Sequence, residues 1–129
     1  MRGGDVISRI VYLTNRKDDT VDYNALVVVI SAADVMDMDG VDDMRVFMKT
    51  LIAGGVKKIA IDMEKLAFID SSGITVLIET AKMIRQKKGD IALFNVPPQI
   101  RTIFQPVRLN RFIICFDGES DVRAFFRVA

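Results

Sequence analysis

Aliphatic positions fall along this chain in two alternating patterns, short dense runs and stripes at helical spacing. Residues 6–14 carry Ile7, Ile10, Val11 and Leu13 among β-branched neighbours and read as a strand. Residues 15–20 are charged and polar, which marks a turn. Residues 25–30 form an unbroken aliphatic run, the pattern of a strand covered on both faces. Residues 31–43 are acidic and irregular. A helix is expected from about Gly40, because Val41, Met44, Met48, Leu51 and Ile52 make one apolar stripe. Asp39 is its expected cap, Asp42 and Asp43 complement its positive end, and Gly54-Gly55 ends it in the left-handed conformation.

The second half repeats the alternation. Residues 57–63 read as a strand with Ile59 and Ile61 on one face, and 64–69 as a short connection. Ile74, Leu77, Ile78, Ala81 and Ile84 define the clearest helical stripe, with Lys87-Lys88 near its end and Gly89 closing it. Residues 91–96 predict a fourth core strand. Pro97-Pro98 opens a short helix whose Ile100, Ile103 and Phe104 are expected to face inward. Residues 112–116 predict a last strand, 117–120 a turn and cap, and Val122, Phe125 and Phe126 an anchored terminal helix.

Strands that alternate with helices predict an α/β fold: a mixed sheet of four to five strands with helices packed mainly on one side. The first two strands suit an antiparallel hairpin at one edge, and the later ones, joined by helices, suit parallel pairing. No repeat, low-complexity segment or linker divides the chain, so residues 1–129 are expected to form a single domain.

Composition narrows the function. The 129 residues are 50% hydrophobic and 27% charged with a formal net charge of +1, which indicates neither nucleic acid nor an anionic membrane as partner. No apolar run is long enough for a bilayer, and residues 1–5 do not lead into a signal-peptide core, so a cytoplasmic location is expected. The single cysteine, Cys115, excludes an internal disulfide, and its apolar neighbours suggest a small core residue. The absence of histidine removes the Ser-His-Asp triad, the phosphohistidine relay and the commonest zinc ligand. The acidic run 34–40 fails as a calcium loop, because Val35 and Val46 would stand at its first and last ligand positions. No Walker-type loop, glycine-rich nucleotide loop or Gly-x-Ser-x-Gly elbow is present. No catalytic residue, metal or cofactor is therefore expected, and the chain reads as a non-enzyme. Arg101, Arg108 and Arg111 are close in sequence and read as a solvated face.

One motif stands out. Asp70-Ser71-Ser72-Gly73 lies between a core strand and an amphipathic helix. Taken alone, the four residues read as a helix cap and tight turn. In the longer stretch 59–74, IAIDMEKLAFIDSSGI, they form an aliphatic strand, an acidic turn, a Leu-x-Phe-x-Asp-Ser-Ser-Gly run and an aliphatic helix. This stretch resembles the signature of STAS domains, and is closest to the bacterial anti-sigma-factor antagonists. The rest of the chain follows in family order, although the family usually has Gly where Ser31 stands and a shorter, less acidic loop after Asp34.

The resemblance implies a role for each motif residue. Ser72 aligns with the serine that a partner kinase phosphorylates. Asp70, Ser71 and Gly73 align with its neighbours in the partner-binding turn, and Asp34 with an aspartate near the same surface. The implied partners are an anti-sigma factor with serine kinase activity, which would hold the ATP, and a serine phosphatase. The rival that the resemblance leaves open is an accessory domain of a transport complex, or a small-molecule or lipid-binding module.

A serine at a helix start suits a switch on physical grounds. A phosphate adds about −1.5 to −2 charge at pH 7 and three strong acceptor oxygens. A helix N-terminus offers free amides and positive dipole to that group, so the fold tolerates it. A packed partner surface does not, because burying the dianion is costly.

Overall fold

The computed structural model describes residues 7–13 and 26–128. The ends of the expected first strand, Val6 and Thr14, the turn at 15–20 and the start of the second run at Ala25 lie outside the described residues.

Five strands form the main sheet: β1 (Ile7–Leu13), β2 (Val27–Ala32), β4 (Lys58–Asp62), β6 (Asp90–Phe94) and β7 (Ile114–Phe116), in the order β1-β2-β4-β6-β7. β1 pairs antiparallel with β2, and the other pairs are parallel. The parallel strands each precede or follow a helix, because a parallel return must cross the sheet face.

The central strands are buried on both faces, and alternation divides their side chains. Val28, Ile30, Ile59, Ile61, Ile91 and Leu93 point into the larger core, whereas Val27, Val29, Ala60, Ala92 and Phe94 point into the smaller one. The larger core is covered by α1 (Val41–Ala53), α2 (Ser71–Gln86) and α3 (Pro98–Val107). The smaller is covered by α4 (Glu119–Phe126) through Val122 and Phe126. Ala60 and Ala92 leave room there for Phe94 and Phe126. Among the described residues, helices thus lie three to one on the two faces, in keeping with the expected mainly one-sided packing.

Several local expectations are corrected. Asp39 does not cap α1: the cap position is Gly40, which brings no side-chain bond, while the Asp39 N–H donates to Asp37 Oδ1. Gly55 takes the left-handed position after α1, with φ 106°. After α2 that position falls to Lys88, and Gly89 is needed for space instead, since a Cβ there would run into the Lys57 carbonyl. Ile103 and Phe125 are exposed and Ile78 is only half-buried; Ile100, Phe104, Val122 and Phe126 carry the burial. The last strand is three residues long, and Leu109–Arg111 before it is a 3-10 turn with Leu109 buried.

The acidic segment and the short connection are not wholly irregular. They hold β3 (Val35–Met36) and β5 (Phe68–Ile69), which pair in parallel with Val35 opposite Phe68 and Met36 opposite Ile69. This small ladder follows the C-terminal ends of β2 and β4 and sets the entry of α2.

Candidate functional site

Asp70 is the N-cap of α2, in extended conformation, and its carboxylate makes two bonds to backbone. Oδ1 accepts from the Gly73 N–H at 3.1 Å and Oδ2 from the Met38 N–H at 3.1 Å. Its own N–H donates to the Met36 carbonyl at 3.2 Å, and its carbonyl accepts from the Ile74 N–H at 3.1 Å. One residue therefore starts the helix and fastens it to the acidic segment.

Ser71 and Ser72 occupy the first two helical positions, Ser71 exposed and Ser72 half-buried. Their N–H groups belong to the first turn, which has no intrahelical acceptors. Gly73 is buried against the ladder: a Cβ there would stand 2.5 Å from the Met36 carbonyl oxygen and 2.7 Å from Ile69 Cγ1. Close approach, not an unusual backbone angle, demands glycine at this position.

Asp34 is exposed, and its carbonyl accepts from the N–H groups of Ala67 at 2.7 Å and Phe68 at 3.1 Å. It precedes β3, whereas Asp70 follows β5. The ladder thus brings both residues to one end of the sheet but holds them at opposite ends of a two-residue pairing. Asp70, Ser71, Ser72 and Gly73 form one cluster; Asp34 flanks it from the far side of Phe68.

Three further residues shape this surface. Met38 is 70% exposed and lines the groove that holds the serines, and Phe68, on the strand that leads into α2, is 50% exposed. Of the methionines in the acidic run, Met36 is fully buried and only Met38 is available. Arg45, on α1, shares with Met38, Val41, Asp42, Ser71, Ser72 and Thr75 a groove of about 360 Å³. Its guanidinium binds Asp42 Oδ1 at 2.6 Å and Glu79 Oε1 at 3.0 Å. Phe68 lies in the stretch 64–69, which reads in the sequence only as a short connection, so nothing there marks its exposure between the buried Leu66 and Ile69. Arg45 is separated from Ser72 by the rest of α1 and two strands, β4 and β5, so sequence offers no signal for their proximity.

Elsewhere, a cavity of about 550 Å³ opens among Lys57, Lys58, Lys87, Lys88, Phe125 and Phe126, by the N-terminal ends of β4 and β6, away from the serines. Cys115 packs against the larger core but is half-buried rather than fully buried, and lines a groove with Arg101, Phe104 and Leu109. Burial pushes its thiol pKa up, and nearby Arg101 partly opposes that. Arg101 itself is tied to the Val96 carbonyl and to Asp117, so it does not join Arg108 and Arg111 in one free patch. Among the described residues no group of acidic or cysteine side chains is arranged to hold a metal ion, and no helix is long and apolar enough to cross a membrane.

The chain is similar to known proteins in sequence and in fold. BtrV of Bordetella bronchiseptica is 31% identical over 51 residues, 40% of this chain and 44% of its own. The anti-sigma F factor antagonist of Paenibacillus polymyxa is 31% identical over 61 residues, 47% of this chain and 52% of its own. The matches thus span about half the length of these relatives. Among solved structures, the anti-sigma factor antagonist SpoIIAA in its unphosphorylated form superposes with a TM-score of 0.70 at 25% identity, over 80% of this chain and 90% of that one. The family model for the STAS domain matches residues 7–122. That span takes in all five strands of the sheet and the Asp-Ser-Ser-Gly turn, and the chain belongs to the STAS domain family.

Proposed function

We propose that this chain is an anti-sigma factor antagonist that works by partner switching. Unphosphorylated, it binds an anti-sigma factor with serine kinase activity and so frees a sigma factor. Phosphorylated on Ser72, it lets go, and a serine phosphatase resets it. The binding surface is the turn Asp70, Ser71, Ser72 and Gly73, with Asp34 at its margin. The chain transfers no phosphate itself and works in the cytoplasm.

The observation that carries this reading is the setting of Ser72. It sits in the first turn of a helix, in an open groove lined by the exposed Met38, and the exposed Phe68 lies on the strand that leads into that helix. Exposed apolar side chains around a polar centre suit a protein partner. The hydroxyl is close enough to the surface for a kinase, and the helix start can accept the phosphate without unfolding. The names of the relatives point the same way.

The test is an affinity pull-down with wild type beside Ser72→Asp, read by mass spectrometry, followed by phosphopeptide mapping with the captured kinase. An anti-sigma kinase retained by wild type and lost by Ser72→Asp, with phosphate mapped to Ser72, supports the proposal. Phosphate on Ser71 alone would overturn the site. Recovery of membrane transporter subunits in place of a kinase would overturn the function.

A further inference from the structure

We infer that Arg45 is the internal receiver of the Ser72 phosphate: on phosphorylation its guanidinium leaves Glu79 and Asp42 and closes over the phosphoryl oxygens. This inference rests on the proposed function and adds to it a rearrangement of the α1–α2 surface.

The groove that holds Ser71 and Ser72 has Arg45 as the single cation among its lining residues and Asp42 as the single acid. A phosphate built on Ser72 enters a space whose other walls, Met38, Val41 and Thr75, are uncharged. Arg45 reaches that space from α1, where its Nε and Nη2 both bond Glu79 Oε1, at 3.2 and 3.0 Å, and its Nη1 bonds Asp42 Oδ1 at 2.6 Å. Glu79 lies two turns along α2 from Ser72 and Thr75 one, so the guanidinium is already laid along the helix face that leads to the serines.

The exchange is favourable for three reasons. The present partners are weak: Asp42 is 87% exposed and Glu79 46% exposed, and ion pairs of that kind hold little free energy. The phosphate carries more charge than either carboxylate and matches the guanidinium fork in bidentate geometry. It also rests on the positive end of α2, where Arg45 and the helix dipole act together.

The consequence reaches beyond one added charge. When Arg45 turns to the phosphate, Asp42 and Glu79 lose their cation and face solvent as free carboxylates. The rim of the partner surface becomes more acidic along both helices. A partner selected for the unphosphorylated rim then meets repulsion over a wider area than Ser72 alone covers.

The test places phosphoserine at position 72 during translation, so no kinase is needed. Its second ionisation, ordinarily at about pH 6, is followed by phosphorus NMR. The phosphate in wild type is expected to hold its proton roughly threefold or more weakly than in Arg45→Gln, because an adjacent cation favours the dianion. Lys49→Gln removes an equal charge from the same helix outside the groove and is expected to leave the titration close to wild type. Arg45→Lys, which keeps the charge but loses the fork, is expected to fall between. Superimposable titrations for wild type and Arg45→Gln would overturn the inference, as would an equal shift in Lys49→Gln. Such results leave the role of Ser72 intact. A kinase that ignores Ser72 would instead defeat the proposed function without touching this measurement.

Discussion

Asp70 Oδ2 accepts a hydrogen bond from the backbone N–H of Met38 at 3.1 Å, across 32 positions of sequence. The same carboxylate caps α2 through Gly73. The helix start and the acidic segment are therefore one unit. Asp70→Ala is expected to destabilise the fold by about 2 kcal/mol, the upper part of the range for a lost cap, because a second bond goes with it. Asp70→Asn keeps one acceptor oxygen and is expected to lose about half as much. Urea denaturation of the three proteins checks both values. Equal stability of Asp70→Ala and wild type would show that water replaces the carboxylate at no cost.

Gly73→Ala tests the contact of α2 with the β3–β5 ladder. In an open helix the change would gain up to about 1 kcal/mol. Here the new methyl meets the Met36 carbonyl at 2.5 Å, and a backbone oxygen held in a ladder cannot swing away. Overpacking of this kind costs about 1–3 kcal/mol, so net destabilisation of about 1–2 kcal/mol is expected. The lost stability should come with faster hydrogen exchange at Asp70 and Ile69, which thermal melting alone would not reveal.

Ser72→Asp separates fold from partner. Aspartate is favourable in a first helical turn, so stability should change by about 1 kcal/mol or less. A charge forced into a packed interface should cost on the order of 2–5 kcal/mol, or roughly thirtyfold or more in affinity. Thermal melting measures the first effect and calorimetric titration against the proposed anti-sigma kinase the second. Wild-type affinity in a folded variant would mean that the turn is not the binding surface. A large loss of fold would mean that Ser72 is structural.

Cys115 predicts a pH dependence. Burial raises its pKa in the folded state, with Arg101 opposing in part. The folded protein therefore holds the thiol proton more tightly than the unfolded chain, whose thiol titrates at about 8.5. The stability tied to this group is present in full below that unfolded value and is lost as pH rises through the folded one. Urea midpoints measured from neutral to alkaline pH should fall more steeply for wild type than for Cys115→Ala. Alkylation by iodoacetamide at pH 8 should be slower in the folded protein than in urea. Parallel pH profiles for the two proteins would remove Cys115 from the account.

The sequence by itself determined the elements that carry their own periodicity. The unbroken aliphatic run of β2 declares a strand covered on both faces, the stripes of α1 and α2 are long enough for helical spacing to declare one face each, and all three fold as those patterns require. The Asp-Ser-Ser-Gly motif also placed a cap and two exposed or half-buried serines at one helix start, because capping depends on neighbours within three residues. Tertiary structure decided what depends on distant partners. Asp39 and Asp70 both precede a helix, yet only Asp70 caps one, since Asp70 is oriented by Met36 and Met38 from another segment. β3 and β5 are two residues each, too short to show a period, and exist because each supplies the other's hydrogen bonds. Their pairing turns Phe68 into solvent while Leu66 and Ile69 stay buried, and holds Asp34 apart from Asp70. The placing of Arg45 beside Ser72 follows from α1 and α2 packing side by side on one face of the sheet. Each helix's own pattern fixes which side it buries; only the shared sheet fixes which exposed residues of the two helices become neighbours.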